Sequence, residues 1–252
     1  MRTDLELAER VARTAGEVLM SYYGRPPEGL ESKATETDLV SDADREAERA
    51  VRELLAADRP DDGLLAEEGS DSAGSSGRRW IVDPLDGTIN FLYGFPAWAV
   101  SVALEDADGL AVGVVHSPVH AETFTAVRGE GARLNGQPLH VREQRKLERA
   151  MVATGFSYES ERRAEQAEVI RRLLPSARDI RRAGAAALDL AWLAAARVDA
   201  FYERGLHAWD CSAGELLVRE AGGVVADLDG EPPGLIAAAT PELLDELVAL
   251  VG

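Results

Sequence analysis

The feature that most limits the fold of this chain is a change of hydrophobic period along its length. Trp98, Val100, Val102 and Leu104 alternate with Ala99, Ser101, Ala103 and Glu105, the two-residue period of a strand. Asp108-Gly109 then gives a turn signal and Leu110 to His116 runs back, which predicts an antiparallel hairpin. Two stretches of helical period precede it. Ala8, Val11, Ala12, Ala15, Val18, Leu19 and Tyr22 follow the T-x-x-E start signature of Thr3 and Glu6, and Gly24 with Pro26-Pro27 ends the run. Ser41 opens the second helix, with Ala43, Ala47, Ala50, Val51, Leu54 and Leu55 on one face and Pro60 as its stop. Further strands are expected at Ile81 to Asp83, Glu122 to Val127 and Met151 to Thr154, with glycine-rich turns from Gly129. From about Glu161, helices (161–174, 185–196, 211–221, 241–250) alternate with short strands (200–203, 224–227, 235–239). Layers of helix and sheet in both parts predict a mixed α/β sandwich. The expected organisation is an N-terminal α+β part over 1–150 and a C-terminal α/β part over 151–252, joined in one compact unit.

A chain of 252 residues that is 46% hydrophobic has the material for a sizeable core. Its 45 acidic against 27 basic side chains give a formal charge of −18, a field that repels polyanions. Direct electrostatic binding of nucleic acid is therefore not expected. The single cysteine, Cys211, cannot form an intrachain disulfide, and MRTDLELAERV has no apolar signal core, so a cytoplasmic protein is expected. The longest apolar stretch, Ala183 to Ala196, is interrupted by Asp189 and falls short of the roughly 20 residues of a membrane span. No membrane association is expected.

The strongest local motif is WIVDPLDGTINF from Trp80. The strand is expected to end at Asp83, because Pro84 lacks the N–H that would continue the ladder, and a second carboxylate follows at Asp86. Asp, Pro and Gly also make ordinary turns, so D-P-x-D alone does not decide between an acidic turn and a cation site. Gly87 lets a ligand approach the backbone, and the Thr88 hydroxyl can orient a water. In HAWDCSAGELLVREAGG, from His207, Asp210 stands just ahead of an amphipathic helix, where it serves either as N-cap or as metal ligand. Gly214 inside that helix costs roughly 1 kcal/mol relative to alanine, which predicts something packed closely against it. Glu67-Glu68 follows an apolar run, and by itself reads as a solvated charge pair. Asp44 stands three residues after Ser41, and a helix-start box explains it without any catalysis. Together Glu67, Asp83, Asp86 and Asp210 supply oxygen donors with no His or Cys cluster, a set that selects Mg²⁺, Mn²⁺ or Ca²⁺ over zinc. Such cations reverse the local sign and admit a phosphate into an acidic protein.

DPLDGTINF and WDCSAGELLVREAGG resemble the two signature segments of the inositol monophosphatase family, in that family's order, and the likeness spans nearly the whole chain. The resemblance implies an α-β-α-β-α sandwich of the inositol monophosphatase and fructose-1,6-bisphosphatase type, a homodimer, and Mg²⁺-dependent, lithium-sensitive hydrolysis of a small phosphomonoester. It implies two or three Mg²⁺ ions per site, with Mn²⁺ as a substitute. Glu67, Asp83 and the carbonyl of Leu85 would hold the first, Asp83, Asp86 and Asp210 the second, and Glu67 would reach a weaker third site near Lys33 and Asp44. Thr88 and Asp44 correspond to the pair that activates the attacking water, with Glu67 beside them. Asp86, Gly87, Thr88, Ala186, Glu203 and Asp210 correspond to the substrate side, Glu203 touching inositol hydroxyls. Ala185 departs from a position that often carries Ser or Thr. The expected partner is a small phosphorylated polyol or sugar, with myo-inositol monophosphate first, and fructose 1,6-bisphosphate and histidinol phosphate as alternatives. Some bacterial relatives act in transcription complexes, so the alternative of another class is an interaction protein in such a complex.

Overall fold

The computed structural model describes residues 2–26, 29–32, 39–69 and 71–252. The chain opens with α1 (Arg2–Tyr22), the two-residue strands β1 (Glu31–Ser32) and β2 (Leu39–Val40), and α2 (Asp42–Asp58). Next come β3 (Gly63–Ala66), β4 (Arg79–Asp86), the single turn α3 (Thr88–Leu92), β5 (Ala99–Asp106), β6 (Gly109–Ser117), β7 (Glu122–Val127), β8 (Gly131–Leu134) and β9 (Gln137–Pro138). The remainder is β10 (Met151–Thr154), α4 (Ser160–Leu173), β11 (Asp179–Arg181), α5 (Ala186–Ala194), β12 (Ala200–Arg204), α6 (Ala208–Glu220), β13 (Val224–Leu228), β14 (Gly234–Ala238) and α7 (Pro241–Val251).

β3 to β9 form one sheet in sequence order, parallel between β3 and β4 and antiparallel thereafter. The second sheet runs β11-β10-β12-β14-β13, with β10 parallel to both β11 and β12. The two-residue period of the strands sorts their side chains between layers. Trp80, Val82, Val100, Val102 and Leu104 face α1 and α2, whose apolar stripes (Leu7, Val11, Leu19; Ala47, Val51, Leu55) cover them. Ile81, Ala103, Val115 and Phe124 face the other way, against Leu188, Leu190 and Leu193 of α5 and Leu217 of α6. Beyond these helices lies the second sheet, and its outer face (Val152, Tyr202, Ile236) is covered by Leu173 of α4 and by Leu243, Leu247 and Val251 of α7. The order helix, sheet, helix, sheet, helix is the five-layer sandwich expected.

The central layer is thin because it is built from small residues. A Cβ on Gly113 would lie 2.8 Å from the Ala213 carbonyl, so β6 and α6 touch backbone to backbone. A Cβ on Gly214 would lie 2.5 Å from Leu190 Cβ, which supplies the close packing that this glycine predicts.

Three local expectations need correction. Thr3 is not a cap, since α1 already includes Arg2 and Thr3 lies in its first turn. The strand through Trp80 does not stop at Asp83. It pairs with β5 at Asp83↔Ser101 and again at Asp86↔Ala99, and a bulge between the two absorbs Pro84. Asp210 is not the N-cap of α6: the helix begins one turn earlier, His207 is the cap, and the Asp210 carboxylate reaches back to accept the His207 N–H at 2.6 Å.

Candidate active site

Two parallel strand pairs, one in each sheet, build the site. Ala66 pairs with Val82, so the residues that follow, Glu67 just past β3 and Asp83 within β4, lie side by side. In the second sheet Thr154 pairs with Tyr202, which brings Gly155 alongside Glu203. The carboxyl ends of parallel strands are where open sheets form clefts, and here a cleft of about 760 Å³ opens between the two. Its walls include Glu67, Asp83, Leu85, Asp86, Gly87, Thr88, Ala186, Glu203 and Asp210. Asp44 stands behind Thr88, and Lys33 lies outside the described residues.

Asp44 closes the helix-start box that its sequence position predicts, and its other oxygen meets Thr88. Its Oδ2 accepts from the Ser41 N–H (2.9 Å) and hydroxyl (2.6 Å), closing the box at the start of α2. Its Oδ1 faces the Thr88 hydroxyl at 3.2 Å, across 44 residues of sequence, and both side chains are buried. The same hydroxyl is 3.1 Å from the Leu85 carbonyl. Gly87 just before it has φ +91, and a Cβ there would lie 2.9 Å from the Ala97 carbonyl, so the position takes only glycine without strain. Asn90 ties this turn to the far wall by donating to the carbonyls of Ala97 (2.6 Å) and Ala183 (2.8 Å).

The carboxylates crowd one another. Burial is the main cause that pushes the Asp83 carboxyl well above its ordinary pKa, and the charges of Glu67, Asp86 and Asp210 add to it. Asp86 is raised by burial and by Asp210, against the amides of Leu188 and Ala187 that stabilise its anion. Its two oxygens accept the N–H groups of Ala186 (3.1 Å) and Ala187 (2.9 Å), so Asp86 occupies the amino terminus of α5. Glu203 is raised to about 8, by burial first and by Asp210 next, and Arg182 opposes the rise. Cys211 is pushed to about 12 by burial and the neighbouring carboxylates, which makes it an inert thiol.

This repulsion is relieved by protons or by a cation, and the donors are all oxygen, as Mg²⁺ requires. Among the described residues no three Asp, Glu, His or Cys side chains are drawn in around one point. Instead the oxygens are engaged by backbone: Asp83 Oδ1 accepts the Leu85 N–H at 2.9 Å, Asp86 holds α5, and Asp210 holds His207. The donor chemistry fits a hard divalent cation.

The site has members that sequence reasoning does not reach. Arg182, Phe156 and His207 line the cleft, the His207 ring stacked on Trp209 at 4.6 Å. Asp189 lies buried in α5 with Oδ1 unpartnered, and its carboxyl is raised by burial, then by Glu203 and Asp86. Gly155 seats the Glu203 carboxyl, which a Cβ there would overlap. A charge inside the apolar run 183–196 was the available signal for Asp189; nothing local marks the others.

Fold and site together define a layered α/β protein with an acidic, oxygen-donor cleft for a small molecule. The chain belongs to the inositol monophosphatase family, whose model matches residues 1–251. It is 39% identical over 254 residues to the Nus factor SuhB of Pasteurella multocida, covering 98% of this chain and 95% of that protein. Among solved structures, the extragenic suppressor protein SuhB of Bartonella henselae superposes with a TM-score of 0.91 at 38% identity, covering 98% of this chain and 97% of that one. An inositol monophosphatase from Anabaena (Nostoc) sp. PCC 7120 gives 0.85 at 33% identity, covering 99% and 95%. The family binds small phosphorylated substrates and is generally Mg²⁺-dependent. No helix among the described residues is long and apolar enough to cross a membrane.

Proposed function

We propose that this protein hydrolyses a small phosphomonoester in a Mg²⁺-dependent reaction, with myo-inositol monophosphate as substrate and inositol and phosphate as products. The observation that carries the reading is the buried Thr88 hydroxyl against the Asp44 carboxylate, at the edge of a cleft lined by Glu67, Asp83, Asp86 and Asp210. Those four carboxylates and the Leu85 carbonyl would hold two or three ions. Bound there, Mg²⁺ supplies Lewis acidity and neutralises the charge that otherwise excludes a phosphate.

The chain's own residues do the rest. Asp44 Oδ1 accepts the Thr88 hydroxyl proton, which leaves the Thr88 oxygen lone pairs free to accept from a water and orient it in line with phosphorus. A proton leaving that water passes to Thr88 Oγ1 as Thr88 passes its own to Asp44, and as the P–O ester bond breaks the leaving oxygen takes a proton from solvent water. Gly87, bare of side chain, leaves room for the ester beside the backbone. Glu203, on the opposite wall, accepts from ring hydroxyls and favours a polyol over a simple ester. Histidine is not required as base.

The direct test is phosphate release from inositol 1-phosphate, fructose 1,6-bisphosphate and histidinol phosphate in Mg²⁺, with and without Li⁺. The reading expects Mg²⁺-dependent, Li⁺-sensitive release with inositol phosphate foremost. A higher kcat/KM on either of the others moves the assignment to that substrate, and no release from any refutes it. A second reading, an interaction protein in a transcription complex, draws its support from the relatives named Nus factor SuhB. It predicts a binding phenotype that survives loss of the carboxylate cluster.

A further inference from the structure

Three arginines line the cleft, and two of them are already engaged. Arg162 pairs with Glu159 at 3.0 Å, and the Arg204 guanidinium donates to the main-chain carbonyl of Asp229 at 2.5 Å. Arg182 is different. Its guanidinium lies over the Phe156 ring, 5.9 Å from the centroid, and passes over Gly184, where the missing side chain leaves it room. It makes no hydrogen bond or ion pair with any described residue. A guanidinium on an aromatic platform, in a cleft this rich in carboxylates, keeps its five N–H donors without an acceptor among the described residues.

Its neighbour across the wall is Glu203. The parallel pairing of β10 and β12 sets Gly155-Phe156 beside Glu203, so one short segment seats the Glu203 carboxyl at Gly155 and supports Arg182 at Phe156. The two charges are close enough for Arg182 to oppose the rise of the Glu203 pKa, yet they do not join in an ion pair. With Glu203 ionised, as a cation that offsets the Asp210 charge favours, the gap is flanked by an acceptor-only carboxylate and a donor-only guanidinium and has a definite chemical complement. A hydroxyl fills it, because it donates one hydrogen bond and accepts another. A second phosphate or a carboxylate only accepts, and Glu203 repels it.

We propose that Arg182 is a specificity-determining residue, which together with Glu203 brackets one hydroxyl of a phosphorylated polyol. The pair selects esters that carry a free hydroxyl at the far side of the ring over esters that lack one or carry a second anion there. The substrate class rests on the phosphatase reading above, whereas the bracket itself is testable by binding alone.

The test uses the full chain and the variants Arg182→Gln and Arg182→Lys, with Glu203→Gln for a double-mutant cycle. In Mg²⁺, Arg182→Gln is expected to lower kcat/KM on inositol 1-phosphate about ten- to a hundredfold more than on 4-nitrophenyl phosphate, the range of a charge-assisted hydrogen bond. Arg182→Lys should recover only part of the loss, since the stacked, planar donor is gone. The double mutant should lose much less than the product of the single losses. A binding arm is independent of turnover: myo-inositol titrated into wild-type and Arg182→Gln protein, followed by NMR, should bind at least several-fold more weakly to the variant. If wild type releases no phosphate from any ester, the phosphatase reading fails and the myo-inositol titration alone decides the bracket. Equal losses on inositol 1-phosphate and 4-nitrophenyl phosphate overturn it, as does unchanged or undetectable myo-inositol binding. A loss on fructose 1,6-bisphosphate that exceeds the loss on inositol 1-phosphate also overturns it, and makes Arg182 a reader of a second anion.

Discussion

Asparagine at position 44 exchanges one carboxylate oxygen for an NH₂ and keeps the other as an acceptor, so Asp44→Asn separates the two jobs of this side chain. The amide oxygen preserves the start of α2 by facing the Ser41 N–H and hydroxyl, now at 2.9 and 2.6 Å from Oδ2. That choice turns the NH₂ toward Thr88. The Thr88 hydroxyl then accepts from the amide and directs its own proton to the Leu85 carbonyl, 3.1 Å away. Its hydrogen-bond direction is reversed, and no acceptor remains to take its proton onward. Stability is expected to fall by only about 1–2 kcal/mol, the cost of weakening buried, charge-assisted bonds that are still made. Turnover is expected to fall about 10²- to 10⁴-fold in kcat, the worth of a positioned acid–base group, with KM changed by far less. Thr88→Ala should lose a similar amount, and the double mutant little more than the worse single, because the two residues act as a unit. Urea unfolding measures the first quantity and phosphate release from inositol 1-phosphate the second. A kcat for Asp44→Asn within a few-fold of wild type, or losses that multiply in full in the double mutant, would refute the pairing.

Other outcomes follow from the same geometry. Glu203→Gln should lower kcat/KM on inositol 1-phosphate by roughly 5- to 150-fold relative to its effect on a ring-free ester, while the Mg²⁺ dependence of the reaction stays as it was; equal losses would make Glu203 a general electrostatic group. In metal-free protein the Glu203 carboxyl titrates at about 8 when folded against 4.5 as the ordinary value, so the folded state holds its proton more tightly than the unfolded one. The stability this contributes is therefore full below the ordinary value and is lost as pH rises toward 8, and Asp83 and Asp86, also raised, add in the same direction. Urea midpoints measured from pH 5 to 8 should decline in chelator, and decline less steeply in Glu203→Gln; a rise through this window would contradict the assignment. Gly214→Ala gains roughly 1 kcal/mol of helix propensity but drives a Cβ against Leu190, and should lower the Tm because overpacking costs about 1–3 kcal/mol.

Much of this was legible in the sequence, for reasons that differ by residue. Asp83 and Asp86 announce themselves because an apolar strand runs straight into them. Asp44 carries a capping signature that is real and yet incomplete, since only tertiary structure tells that its second oxygen meets Thr88. Glu67 reads as a surface charge until the parallel register beside Val82 places it next to Asp83. Pro84 misleads as a stop signal because a bulge tolerates it, and Asp210 misleads as a cap because His207, a residue without marked N-cap preference, starts the helix a turn earlier. Arg182, Phe156 and Gly155 leave no local trace at all. They meet Glu203 through the pairing of β10 with β12, separated by α4, β11 and α5, and no spacing along the chain records that.

The central claim is that Asp83, buried beside the bulge of β4 among three other acids, exists to hold Mg²⁺ for phosphate-ester hydrolysis. Its most direct test is steady-state phosphate release from myo-inositol 1-phosphate by wild-type protein and by Asp83→Asn, at saturating Mg²⁺, with urea unfolding of both proteins in chelator. The account predicts Mg²⁺-dependent turnover by wild type and none by the variant. It also predicts that the metal-free variant is at least as stable as wild type, because a buried, mutually repelling carboxyl has been removed. Wild-type turnover by Asp83→Asn, or release that is indifferent to Mg²⁺, would contradict it.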